Sequence, residues 1–392
     1  SRAFEKIAAR SGFRFLGNVE VGRDVTHEEL DALYDAVIYA VGSQTDRRLG
    51  IPGEDLPGSW AATELVAWYN GHPDYQQLEL DLSHERAVVI GNGNVALDVA
   101  RMLVLTQGEL APTDTTDSAI AAIVGCGIRE IVVLGRRGPV QAAWTSTELA
   151  ELGELEGADV AVDPTELELD PESAAELAGA SNVVQRNVEI LREYSLRPPA
   201  GKPRRIVLRF RTSPVAILGE ERVEGVEVVR NHLEPDGRGS VRAVPTEERE
   251  VISCGLVFRS VGYRGIGVPG VPFDEANGVI ANVGGRVVDD GEAVPGIYCA
   301  GWIKRGPTGV IGTNKKDATE TVALLLEDAR AGRLPHRDGG TLDELLDARG
   351  VEVVLYDGWE RIDAVERGQG QAQGRPRVKL CSWDELLAAA RS

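Results

Sequence analysis

Two short stretches carry residues whose types and spacing could do chemistry. In "VVIGNGNVALDVAR", Gly91, Gly93 and Ala96 follow an apolar run in the spacing G-x-G-x-x-A and open a helix-like segment. Gly91 permits a tight turn, Gly93 lets a diphosphate approach the backbone, and Ala96 lets helix pack closely on strand. The helix N-terminus then presents free N–H groups to the anion. The second stretch, "IVVLGRRGPVQAAWTSTEL", reads as the next strand of the same unit. Arg136 and Arg137 stand where a carboxylate would otherwise hold the 2′-hydroxyl of an adenosine ribose. Paired guanidiniums there grip a 2′-phosphate through charge-assisted bonds, so the expected dinucleotide is NADP(H), not NAD(H). The plain alternative is a solvated arginine pair in a loop. Glu148 has two readings: it closes a capping box begun at Thr145, or its carboxylate meets the nicotinamide end of the cofactor. Arg47 is by itself a loop arginine, and Asp98 reads as a helix-face residue rather than a proton relay.

The elements that must position these residues follow from the pattern of the chain. A capping box at Thr26 and Glu29 opens a short helix, and a buried strand over residues 36–41 follows. "FRFLGNVEV" near the start and "VEVVLY" at 351–356 also read as strands. After the glycine turn and its helix, the polar segment "TQGELAPTDTTDS" extends or interrupts that helix. Residues 204–258 change to alternating strands, with a hairpin loop at Gly219 to Glu221. A glycine-rich loop then feeds a helix from about Asp317 to Arg330, and the tail carries a helix, a strand and a terminal amphipathic helix. "RGQGQAQGRPR" reads as a surface loop.

Composition narrows the partners. The 62 acidic residues outnumber the 42 basic ones, for a formal charge of −20, which argues against nucleic acid because phosphate binding needs a net basic face. No apolar run reaches the roughly 18 residues of a membrane span, so no membrane insertion is expected and the composition is cytoplasmic in type. Cys126, Cys254, Cys299 and Cys381 lie singly, without the spacing of a metal site or a redox dithiol.

With these motifs in view, the sequence resembles a known family. "GNGNVALDVARML", "VLGRRGP…TSTEL" and above all "AGWIKRGPTGVIGTNKKDA" are similar to the adrenodoxin reductase family of ferredoxin–NADP reductases, most of all its bacterial members. "RRLGIPGE", "SVGYRG", "GWERID" and "GRPRVK" extend the resemblance over nearly the whole chain. Trp302 marks this branch, because the wider class of two-dinucleotide-domain flavoproteins usually has aspartate there.

The resemblance implies an α/β fold with two Rossmann-like dinucleotide-binding domains, the NADP domain inserted into an FAD domain. The expected division is residues 1–45 as the remainder of the first FAD segment, 46–261 as the NADP domain, and 262–392 as the second FAD segment with a C-terminal extension. It implies an NADPH:ferredoxin oxidoreductase in which hydride passes from NADPH to FAD, and single electrons then pass to ferredoxin or a similar iron–sulfur acceptor. Trp302, Gly309, Val310 and Ile311 should contact FAD, with Gly309 also near the nicotinamide. Asn92 to Val95, Arg136, Arg137, Glu148 and Arg47 should contact NADPH. A helix N-terminus behind "GPTGVIGTN" would favour the negative charge gained on flavin reduction. Hydride transfer itself needs no protein acid or base, so no catalytic residue is named, and no metal is expected.

The family opens with its own strand–glycine turn–helix for the adenosine half of FAD, and residues 1–30 do not supply it. The expectation is a fragment of a longer chain, its FAD domain truncated at the N-terminus. Steering of an acidic ferredoxin falls to local basic clusters: residues 201–205, Lys304 with Arg305, and Lys315 with Lys316. Two other readings are an electron-input subunit of the glutamate synthase type and a flavin-free NADP-binding module.

Overall fold

The structure, a computed structural model, describes residues 2–237, 240–309 and 311–392, except for the side chains of residues 2, 3 and 311. Its backbone divides into two compact units. One comprises Ser1–Thr45, Tyr263–Val365 and Asp384–Ser392; the other comprises Asp46–Gly262 and Glu366–Trp383.

The second unit is built on a six-stranded sheet in the spatial order Ser59–Ala61, Leu256–Arg259, Arg86–Ile90, Glu130–Leu134, Arg204–Arg209, Ala158–Val162. Every pairing in it is parallel. The runs "RAVVI" and "EIVVL" suit this place because central parallel strands are covered on both faces and tolerate unbroken β-branched sequence. Alternate residues of these strands face different layers, as the two-residue period of a strand requires. Ala87, Val89, Ile131 and Val133 pack with Ala96, Leu97, Leu149 and Tyr194 from the helices. Val88, Ile90, Val132 and Leu134 pack instead with Ile217, Val223, Val226 and Val228. The latter belong to an antiparallel meander of Thr212–Leu218, Gly225–Pro235 and Val241–Ser253. The expected run of alternating strands is therefore divided: its first and last members, Arg204–Arg209 and Leu256–Arg259, join the parallel sheet, and the three between them form a separate layer across its other face.

The polar segment after the nucleotide helix interrupts it. Thr106 and Thr116 cap two short helices, Gln107–Leu110 and Asp117–Val124. The tail departs from the expected division, because Glu366–Trp383 packs with this unit and not with the rest of 262–392. Arg375 pairs with Asp117 and donates to the Thr113 carbonyl at 3.0 Å, Lys379 donates to Asn70 at 2.9 Å, and Trp383 Nε1 donates to Asp74 at 2.6 Å. "RGQGQAQGRPR" is likewise not simply a loop, since its first residues continue the helix Tyr356–Ala372. Gly370 is needed there because a Cβ would overlap the backbone of Arg377.

In the first unit, Val37–Tyr39 pairs parallel to Glu292–Cys299, which continues antiparallel to Arg286–Asp289 and then Asn282–Val283. The helix Ile311–Arg330 starts about a turn and a half before the expected Asp317. Near its end, Arg286 bonds Asp328 at 2.7 and 2.9 Å and holds that carboxyl well below the usual range, helped by Tyr298 and Arg333. Neither "FRFLGNVEV" nor "VEVVLY" forms a strand. They share one bridge, Gly17 with Val354, and their aromatic residues are used in edge-on packing of Phe13 and Phe15 against Tyr356 rather than in a ladder. All four cysteines are free, and burial pushes the Cys254 and Cys299 thiols up to about 12. Among the described residues no helix is long and apolar enough to cross a membrane, and no acidic, histidine or cysteine cluster could hold a metal.

Candidate dinucleotide site

Strand Arg86–Ile90 ends at Gly91, where φ is +131° and a Cβ would overlap the Ser260 carbonyl oxygen of the neighbouring strand connection. This is the point where the sheet's winding reverses, and ligands of open α/β sheets bind there, outside the carboxyl ends of the strands. Gly93 caps the helix Asn94–Met102, and a Cβ built on it meets no atom within 4 Å, so the backbone is open to a close approach. Ala96 is fully buried between helix and sheet. Gly91→Ala should therefore lower stability by several kcal/mol, as overpacking and a positive φ both oppose it. Chemical denaturation with a parallel NADP+ titration checks this, and a variant that matched the parent in both would refute the tight-turn account.

The structure brings most of the expected contacts to this one end of the sheet. The Asn92 carbonyl accepts from Ala143 N at 3.1 Å, and Asn94 Oδ1 accepts from Thr145 N at 3.0 Å. Gly135 lies against the Asn92 amide, close enough that a Cβ there would come within 2.7 Å of it. Val95 is partly buried against the helical core. Thr145 caps Ser146–Glu151, and its hydroxyl donates to Glu148 at 2.6 Å. The capping box is not closed in the usual way, because the Thr145 N–H is taken by Asn94 and not by Glu148. One carboxylate oxygen of Glu148 serves the cap, so the cap and cofactor readings of this residue are compatible.

Arg136 is exposed and Arg137 half-exposed, immediately beyond Glu130–Leu134. Neither guanidinium has an ion-pair or hydrogen-bond partner among the described residues, although the unit is rich in carboxylates. Arg47 is similar: its side chain is exposed and unpaired among the described residues, while its N–H bonds the Gly262 carbonyl at 2.9 Å. The loop that carries it is fastened by the buried Glu54, which accepts from Leu49 N at 2.6 Å and Gly50 N at 2.8 Å. Glu54 and Asp46 in turn lie 3.5 and 3.3 Å from the buried Arg259. Sequence reasoning missed this triad, which has no local motif. Asp98 pairs with Arg101 at 3.0 Å, as a helix-face residue does.

Trp302 and Gly309 belong to the other unit. The Trp302 ring packs against Tyr263 with centroids 5.4 Å apart, and its indole N–H is buried without a hydrogen-bond partner among the described residues. Gly309 has φ +83°, and a Cβ would overlap Thr313 Oγ1. Val310 lies outside the described residues, and Ile311 begins the long helix. Behind this loop, buried Asp317 accepts from Gly301 N, pairs with Lys304 at 2.9 Å and lies 3.5 Å from Arg305. A buried indole donor and a loop held in left-handed glycine conformations suit a ligand rich in acceptors, such as a flavin ring.

Two of the proposed basic clusters are not free charge. Lys304 and Arg305 are committed to Asp317, as described. In residues 201–205, Lys202 donates to the Leu155 carbonyl, Arg204 to the carbonyls of Leu103 and Ile123, and Arg205 pairs with Glu130. These groups line a cavity of about 940 Å³ at the amino ends of the strands, opposite the glycine turn. Lys315 and Lys316 are both exposed, and Lys316 lies only loosely by Glu320, at 3.9 Å.

A sequence profile described as pyridine nucleotide-disulphide oxidoreductase matches residues 4–124. NADPH-ferredoxin reductase FprA of Mycobacterium tuberculosis is 51% identical over 394 residues, an alignment spanning 99% of this chain and 85% of that protein. The chain belongs to the NADPH-ferredoxin reductase family. Within that family, mitochondrial NADPH:adrenodoxin oxidoreductase of Arabidopsis thaliana is 40% identical, over 99% of this chain and 83% of its own. The structure of Mycobacterium tuberculosis FprA in complex with NADPH matches with a TM-score of 0.93 at 49% identity, covering 100% of this chain and 86% of that one. The α/β expectation and the family resemblance of this NADPH-ferredoxin reductase family member thus agree with both comparisons.

Proposed function

We propose that the chain works as an FAD-dependent NADPH:ferredoxin oxidoreductase, with ferredoxin or a similar iron–sulfur protein as acceptor. The observation that carries this is the pair of guanidiniums, Arg136 and Arg137, without a partner among the described residues, just beyond the strand beside the glycine turn. Bound FAD supplies the conversion between a two-electron donor and a one-electron acceptor. The chain's own residues bind and orient. Gly93 and the helix N-terminus at Asn94 hold the diphosphate, Arg136 and Arg137 hold the 2′-phosphate, and Arg47 and Glu148 complete the NADPH contacts. Trp302, Gly309 and Ile311 contact the flavin. No side chain is assigned an acid or base role, because alignment of stacked rings is what the reaction asks of the protein.

The test is to incubate the chain with FAD, remove the excess, and add NADPH without oxygen. The visible flavin band should bleach with NADPH far faster than with NADH, and cytochrome c reduction should depend on added ferredoxin. Bleaching by both nucleotides at one rate would defeat the cofactor assignment. Ferredoxin-independent turnover would defeat the acceptor assignment. If Lys315 and Lys316 steer an acidic partner, the ferredoxin-dependent rate falls as salt rises.

A further inference from the structure

The tip that carries Arg136 and Arg137 is fastened at three successive carbonyls, and the fastening comes from the antiparallel meander. Gly135 O accepts from Thr212 N at 3.0 Å, Arg136 O from Asn231 Nδ2 at 2.8 Å, and Arg137 O from Arg211 N at 2.9 Å. Two of these donors are backbone groups that almost any residue would supply. Asn231 is the only side chain among them. It is 3% exposed, its N–H bonds the Arg211 carbonyl at 2.7 Å, and its second amide hydrogen goes to Ser213 Oγ at 2.8 Å.

The amide's orientation is fixed by these partners, since turning it over would set Oδ1 against the Arg136 carbonyl. As it stands, Oδ1 is buried without a hydrogen-bond partner among the described residues. An unsatisfied buried acceptor costs free energy, so the packing of the meander is not what favours an amide here. Arg211 bears a second local cost. Its φ is +50°, in the left-handed region that a residue with a Cβ rarely adopts, and this bend aims its N–H at Arg137. Both departures from comfortable structure converge on the arginine tip.

We propose that Asn231 is a positioning residue for recognition of the 2′-phosphate, acting through the backbone of Arg136. This rests on the reading of Arg136 and Arg137 as the 2′-phosphate grip. Asn231 lies in a different layer from the glycine turn, so it sets preference for the phosphorylated ribose without touching the diphosphate.

Calorimetric titration of the full chain with adenosine 2′,5′-bisphosphate and with 5′-AMP tests this without flavin or turnover. Asn231→Leu should weaken the bisphosphate roughly tenfold, the scale of one lost hydrogen bond at a buried carbonyl, and leave 5′-AMP unchanged. Adding Asn231→Leu to Arg136→Ala/Arg137→Ala should cause no further loss, because the amide acts through those side chains. Equal weakening of both ligands would show a merely structural role and overturn the proposal, as would no weakening of either. If the double arginine variant keeps its preference for the bisphosphate, the underlying cofactor reading fails, and the inference with it. If the arginines matter and Asn231→Leu does not, the inference alone fails. Should Asn231→Leu not fold, Asn231→Ser, which keeps a hydroxyl but shortens its reach, is read by the same criteria.

Discussion

Replacing both Arg136 and Arg137 by alanine should weaken NADPH about a hundredfold or more and leave NADH within about twofold of the parent. Each charge-assisted contact to a phosphate contributes roughly 1.5–3 kcal/mol, and each 1.4 kcal/mol is about a factor of ten. The two guanidiniums have no carboxylate partner among the described residues, so their removal leaves no buried charge behind and should cost little stability. The effect should appear in KM for NADPH with kcat much less changed, because the 2′-phosphate is remote from the reacting ring and is held equally before and during reaction. Steady-state kinetics with both nucleotides on the FAD-loaded protein decides it. A parallel loss for NADH would mean that the arginines hold the loop or the diphosphate instead.

The other large effect is expected in the other unit, at Asp317. Asp317 is buried, as is the Lys304 ammonium paired with it at 2.9 Å. Breaking such a pair from one side leaves an uncompensated buried charge and costs roughly 3–5 kcal/mol, more than an exposed pair ever contributes. Asp317→Ala should therefore lower the urea midpoint strongly and release the Gly301 turn that presents Trp302. Removing both charges, with Asp317→Leu and Lys304→Met together, should restore most of the stability. The paired substitution should still impair flavin uptake, because the Gly301 N–H has lost its acceptor. If the double variant were no more stable than Asp317→Ala, the buried-charge explanation would be wrong.

Much of the nucleotide site could be read from sequence because its parts are local. A glycine turn between an apolar run and a helix, and two arginines at a strand end, each lie within a dozen or so residues, and spacing alone constrains them. What supports them is not local. Glu54, Arg259 and Asp46 meet only after folding, and Asn231 reaches Arg136 across a sheet boundary. Two of the three basic clusters failed as free charge for a similar reason. A run such as "GKPRR" shows its charge, while the carbonyls of Leu103, Ile123 and Leu155 that tie down two of its side chains, and the Glu130 carboxylate that pairs with a third, are invisible in a linear reading. The two misread strands alternate as strands should, but a strand also needs a neighbour, and these found only isolated bridges, Gly17 with Val354 and Val21 with Val25.

The alternation along Arg86–Ile90 and Glu130–Leu134 separates two properties that a single-layer design would entangle. Odd-numbered side chains of the pair pack with the helices, among them the one that opens at the glycine turn, and even-numbered ones pack with the meander that bonds the arginine tip. If the arginine tip holds the 2′-phosphate as proposed, substitutions in the meander should retune nucleotide preference and leave the hold on the shared part of the dinucleotide intact. For anyone engineering a switch from NADPH to the cheaper NADH, the productive place to diversify is this covering layer together with the tip, and the glycine turn is best left alone.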